Sequence, residues 1–587
     1  MSVKRVRAWG VLAMVAGLAA GAWAYPPPYV MVIDGKDQPC PNVNMGDTAT
    51  VDRIIAEEMD NSQVMSYLHY LTHEIGARLT GSTAAERANR WVMEQYQTLG
   101  LENPHMEQWG TIAVRFDRGP SSGKVLLRRE AQADDAKDAK SEKAEKGEAA
   151  QAPVKVEYET LRALELTTLA WTAGTQGPVR GAIVREPKDG AEFDKVRNSL
   201  KGAWVLIQAP AALGQRGIRS LVSARYESRV EARKKVEGGA DPATLTVVER
   251  LALEPVAGYI STSRDERVWT GAAPKWRELD LDSMPRDPHV IIRLSDYDYI
   301  NSRLTDGDPI EVEFDLKHEF TKGPIPVYNT IAEIRGSEKP DEVVIISAHL
   351  DSWNGPGSQG CTDNGTGTAV VMEAARILMA AQAKPARTIR FCHWTGEEQG
   401  LLGSRGYVEA HKDELSKISA VFVDDGGTNY EGGVPAAENM VQMLAMATAP
   451  VNNIFYSETD KKYLNVNIRN TGKVIDTHGS SDHASFNAVG VPGFFWDEVG
   501  RADYGHGWHT QHDRYDLAIP EYLAQSAANM AVTAYRLACA ETLLPRVVQE
   551  PTDGNAKPVP EKPASEKKAD VPAAGAEGAK PVHSPGK

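Results

Sequence analysis

Cysteine is scarce: Cys40, Cys361, Cys392 and Cys539 are the only four in a chain of 587 residues. So few cannot staple a scaffold, their spacing has no zinc-finger pattern, and one or two bridges are the most they allow. Positive charge is also in deficit, with 65 lysines and arginines against 80 acidic residues and a formal net charge of -15. That sign is opposite to the one needed to neutralise phosphates, which argues against nucleic acid as a partner. No apolar run outside the first 24 residues approaches the ~20 residues that span a bilayer. The motifs H-E-x-x-H, G-x-S-x-G and G-x-x-x-x-G-K-[ST] are absent as well. Helix-borne single-zinc proteases, common serine hydrolases and P-loop enzymes therefore drop out as first choices.

What is present is globular: 42% hydrophobic and 25% charged residues, in a chain long enough to require more than one domain. Lys4, Arg5 and Arg7 precede an apolar run from Trp9 to Ala22, and Ala22-Trp23-Ala24 then offers a small-x-small cleavage pattern. Residues 1–24 are expected to be an export signal, leaving no membrane span in a periplasmic or extracellular mature chain. Residues 25–120 form an expected N-terminal helical part. Within it Val64, Leu68, Leu71 and Ile75 recur at helical spacing, and Thr83 with Glu86 suggests a capping box for a helix ending at Gly100. Residues 130–152 lack large apolar side chains and read as a solvated charged insertion. Residues 156–320 alternate strand-like runs with polar helical stretches, as a smaller inserted domain would. The tail, 550–587, has seven prolines and no aromatic residue, leucine or isoleucine, so it lacks the material for a core.

From 325 to 545 nearly continuous apolar strands, Glu342 to Ala348, Thr388 to Trp394, Ala420 to Val423 and Val491 to Trp496, alternate with helices such as Thr368 to Ala381. The expected fold is α/β, a mostly parallel or mixed sheet covered by helices, carrying a smaller β-rich α/β insertion. Ligands bind at the carboxyl ends of such strands, and each of these ends carries a carboxylate or histidine. His349-Leu350-Asp351 places Asp351 on the same side as His349. A glycine-bearing turn presents Asp363, and Glu397-Glu398 lies between glycines. Asp424-Asp425 follows a strand, and the loop 504–513 holds His506, His509 and His512. Each motif alone has an ordinary explanation, as a turn, a cap or a solvated face. Recurring together, carboxylates and imidazoles form the donor set of catalytic rather than structural zinc. His393, inside a strand, reads as a core residue, and His411 as an exposed start of a helix. Gly479-Ser480-Ser481-Asp482-His483 reads as a pocket wall, since sequence neighbours seldom converge as a triad.

Five ordered motifs then make a specific resemblance: Asn329 through Trp353, CTDNGTGTAVVMEAARIL, TGEEQGLLGSRGY, GSSDHASF and HTQHD. Together they resemble the secreted di-zinc exopeptidases, and HLDSW with DDGGT is most similar to the carboxypeptidase Q branch. The stretch 156–320, with GPVRGAIV and KGAWVLIQ, is similar to the protease-associated domain of that family. The likeness implies two co-catalytic Zn2+ ions. His349 and Asp425 would bind one, Glu398 and His509 the other, and Asp363 both. It also implies Glu397 as general base and Asp351 as the partner that orients His349. Asp424 and Asp425 remain alternatives by one residue, and Arg514 stands where the family usually has threonine. The implied substrate is a peptide cut at one terminus.

Two other classes fit the same residues: a binding protein on a peptidase scaffold, and a different di-metal amidohydrolase or glutaminyl cyclase. All expected ligand positions are filled and Glu397-Glu398 favours hydrolysis. Amino- against carboxy-terminal cleavage and oligomeric state, a homodimer included, stay open at this level.

Overall fold

The computed structural model describes residues 29–130, 156–208, 215–472 and 479–547. The expected leader at 1–24, the tail at 550–587 and, apart from Glu130, the charged stretch 130–152 lie outside the described residues. Among the described residues no helix is long and apolar enough to cross a membrane.

Five strands make one half of a mixed sheet, in the order Gly493–Phe495, Ile418–Val423, Lys339–His349, Arg387–Trp394 and Ile310–Ile334. The first four are parallel, and Ile310–Ile334 joins them antiparallel. Alternation along the central strand explains its covering on both faces. Val344, Ile346 and Ala348 pack with Val370, Ala374 and Ile377 of the helix Thr366–Ala380 and with Met530 and Ala534 of the helix Pro520–Cys539. Val343 and Ile345 face the other way, onto Tyr407, Val408 and Phe486. The helix Thr366–Ala380 is buried on nearly every side, as expected of one whose sequence is apolar all round.

Residues 156–320 contain further strands, Val179–Arg185, Trp204–Leu206, Gly258–Thr262, His289–Ile292 and Leu166–Thr168, that continue the same sheet. They close on their own apolar cluster around Trp204, Ile260, Val290 and Phe314. The strand Ile310–Ile334 runs unbroken from that cluster into the first half of the sheet, paired along its length with Glu102–Glu130. A boundary at 320–325 therefore falls inside one continuous strand.

Several local expectations need correction. The N-terminal segment is helical at Thr48–Asn61, Val64–His69 and Thr83–Leu99, but it opens with paired strands Val30–Ile33 and Lys36–Pro39 and becomes strand again at Glu102. The cap of the helix Thr83–Leu99 is Ser82, whose hydroxyl accepts from the Ala85 N–H. Thr83 and Glu86 are drawn instead to Asp117 and Arg115. His411 does not start a helix: it closes Leu402–Ala410, half-buried, with its ring on Glu107 and stacked on Tyr407. All four cysteines are free thiols.

Candidate metal centre

Strand ends and the turns behind them gather the predicted residues. His349 is the last residue of its strand and is fully buried. Its Nδ1 lies 2.9 Å from the main-chain oxygen of Asp351, an arrangement that fixes the ring and turns Nε2 toward Asp425 Oδ1 at 2.9 Å and Asp363 Oδ1 at 3.4 Å. Across Asp363, His509 Nε2 is 3.2 Å from Asp363 Oδ2 and 3.0 Å from Glu398 Oε2. Two groups result, His349 with Asp363 and Asp425, and Asp363 with Glu398 and His509. In each, the three donor atoms lie within 4.8 Å of one another. Asp363 belongs to both. Asp425 is the member of the Asp-Asp pair that reaches His349, while Asp424 turns to Glu498 and Glu431. Glu397 Oε2 sits 3.9 Å from His349 Nε2 and belongs to neither group. His506 and His512 stack on each other 4.6 Å apart and also belong to neither.

The charges in this cluster are strongly coupled. Burial works against a charged His349, yet the Asp425 and Glu397 carboxylates hold its pKa well above 6.5. Burial likewise opposes His509, but Glu398 and Asp363 raise it to about 9. Burial, reinforced by Asp363, pushes Glu398 up to about 8, and burial with Asp425 and Asp482 pushes Glu397 well above 4.5. Against its own burial, the two imidazoles hold Asp363 below the ordinary carboxylate range. Protons thus neutralise the crowded carboxylates where cations could. Imidazole and carboxylate donors suit zinc, and the buried Asp363 turns one oxygen to His349 and the other to His509, so the residues fit the ions.

Distant segments hold the site in place. Arg78, fully buried, donates to the carbonyls of Leu350 and Gly360, each at 2.7 Å, and of Gly76 at 3.0 Å, tying the loop after His349 to the turn before Asp363. Asp513 Oδ1 accepts from the Thr362 N–H at 2.6 Å and its hydroxyl at 2.8 Å. The Asp351 carboxylate accepts from the Thr80 hydroxyl at 2.7 Å and the Glu397 N–H at 3.3 Å. Gly367 passes so close to the Asp424 carbonyl that a Cβ would lie 2.3 Å from that oxygen. His509 itself has φ +59, a left-handed backbone uncommon outside glycine. The 156–320 segment braces its loop: Thr270 N–H donates to the His509 carbonyl at 3.0 Å, Arg267 to the Gly505 carbonyl at 2.7 Å, and Val268 N–H to Gln511 Oε1 at 2.8 Å.

A cavity of about 500 Å³ opens over the two donor groups, lined among others by Glu397, Glu398, Arg405, Gly479, Ser480, Phe495, Tyr504 and Trp508. Gly479 and Ser480 thus form part of its wall. Tyr504 is missing from the sequence-level candidates. Burial first, then Asp363, Asp425 and Glu398, raises its phenol well above 10, so it stays a neutral donor.

Residues 329–534 match peptidase family M28. Carboxypeptidase Q of Mus musculus is 27% identical over 481 residues, covering 82% of this chain and 86% of its own. Carboxypeptidase Q of Homo sapiens is 29% identical over 487 residues, with the same coverage. The crystal structure of a peptidase M28 precursor from Shewanella amazonensis SB2B shares the fold, with a TM-score of 0.54 at 24% identity, covering 85% of this chain and 98% of that one. Residues 329–534 therefore form a peptidase family M28 domain, and the chain is a metallo-exopeptidase.

Proposed function

We propose that this chain hydrolyses terminal bonds of peptides or dipeptides with two zinc ions and Glu397 as general base. His349 and Asp425 would hold one ion and Glu398 and His509 the other, with Asp363 a donor shared by both groups. The observation that carries this assignment is the membership of Asp363 in both donor groups. When bound, such a pair of ions lowers the pKa of a water between them and polarises the substrate carbonyl.

The remaining work falls to the chain. Glu397 faces the same space as His349 Nε2 without being a donor in either group, so it is free to take the proton of the attacking water and return it to the leaving amine. Asp351 positions both partners, through its carbonyl to His349 and its carboxylate to the Glu397 N–H. Tyr504, held protonated in the cavity wall, donates a hydrogen bond to the oxygen on which charge develops. The 156–320 segment, as a protease-associated-like domain, braces the His509 loop. The leader-like residues 1–24 direct export to the periplasm or beyond, and the mature N-terminus, read by mass spectrometry, should fall near Tyr25.

Zinc-loaded protein should cleave dipeptide probes blocked at one end, and Glu397→Ala should abolish cleavage while retaining the metal. Cleavage of neither the amino-blocked nor the carboxyl-blocked set, with two ions bound, would overturn the proposal.

A further inference from the structure

The cavity holds one charge that the hydrolytic proposal leaves unused. Its carboxylates, Asp363, Glu397, Glu398 and Asp425, all have assigned tasks. Its one lysine or arginine among the described lining residues is Arg405. Arg405 lies in the helix Leu402–Ala410, which starts directly after the turn bearing Glu397 and Glu398. Gly403, Ser404 and Tyr407 pack that helix inward and leave Arg405 exposed toward the cavity.

Other arginines around the site are engaged. Arg78 is bonded to four carbonyls, Arg390 pairs with Glu333 and Glu414, and Arg267 pairs with Asp265. The Arg405 guanidinium, in contrast, has no hydrogen bond, ion pair or ring contact with any described residue, even though four carboxylates share its cavity. A spare cation thus stands in the wall, while no lining carboxylate is spare for a substrate ammonium. Asp482, the nearest other candidate, is completely buried and outside the lining. Planar guanidinium matches carboxylate with two parallel N–H donors, and a space of about 500 Å³ is of a size to take a small ligand.

We propose that Arg405 receives a carboxylate of the substrate, and so selects peptides that present one beside the scissile bond. This rests on the hydrolytic function proposed above. The carboxylate is either the free C-terminus, which makes the enzyme a carboxypeptidase or dipeptidase, or an acidic side chain.

Three probes separate these sources on the zinc-loaded full chain: Leu-Ala, Leu-Ala-amide and Leu-Glu-amide. The wild type should favour Leu-Ala over its amide by about 10- to 100-fold in kcat/KM, the factor that charge-assisted hydrogen bonds supply. Arg405→Ala should bring that ratio near one, mainly through KM, with zinc content and Tm unchanged, and Arg405→Lys should recover part of it. A loss confined to Leu-Glu-amide would assign Arg405 to an acidic side chain instead. Equal losses on all three probes, or none, would overturn the proposal. Calorimetric binding of Leu-Ala and Leu-Glu-amide to zinc-loaded Glu397→Ala, with and without Arg405→Ala, reads the contact without turnover. If the wild type hydrolyses nothing, the proposed function fails, while Arg405 keeps its role only where its removal weakens binding of either probe.

Discussion

Loading the centre with zinc should expel protons, in a number that follows from its electrostatics. In the metal-free protein His509 has a pKa of about 9 and Glu398 of about 8, and His349 is held well above 6.5. At pH 7 the first two together carry about two protons, and the carboxylates around His349 favour its charged form in the same direction. Coordination needs neutral imidazole and ionised carboxylate, so zinc uptake at pH 7 should release about two protons from His509 and Glu398, with any from His349 and Glu397 in addition. At pH 9.5 Glu398 is ionised and His509 mostly neutral, so their joint share should fall from about two to a few tenths of a proton. The sign follows: these groups bind protons in competition with metal, so apparent zinc affinity rises with pH through the range in which Glu398 and His509 give up their protons. Calorimetric titration in buffers of different ionisation enthalpy counts the protons directly. Release of fewer than one at pH 7, or a count unchanged at pH 9.5, would refute the coupling described here.

Glu397→Gln should retain zinc and lower kcat by about a hundred- to ten-thousand-fold, checked by metal analysis beside steady-state kinetics. Arg78→Met removes the guanidinium's bonds to four carbonyls, and should cost about 3 to 5 kcal/mol in urea unfolding of the metal-free protein. Gln511→Ala removes bonds to Val268, Glu165 and Glu266 and should weaken zinc binding about tenfold with little change in Tm, measured by chelator competition.

The residues that touch the proposed ions were legible because they sit in short motifs at strand ends, where apolar runs stop and chemistry starts. His349, Asp363, Glu398, Asp425 and His509 come together as the resemblance implied. Their supports were not legible, because each acts across the fold: Arg78 reaches Leu350 and Gly360 from hundreds of residues away, and Arg267 reaches Gly505 from the 156–320 segment. Tyr504 belongs to no motif and Arg405, though inside TGEEQGLLGSRGY, has no role that the motif states, so only the folded cavity gives them a place. Ser82 and Thr83 show a local limit. Either can cap a helix, and Asp117, brought up by tertiary structure, decides by engaging Thr83. His411 follows the same rule, since Glu107 of the strand Glu102–Glu130 holds it at the end of a helix.

The most direct test of the central claim is anomalous diffraction at the zinc edge from crystals of the zinc-loaded protein. Two peaks about 3.5 to 4 Å apart are expected, one among His349, Asp363 and Asp425 and the other among Asp363, Glu398 and His509. A single peak, or peaks away from Asp363, would contradict it.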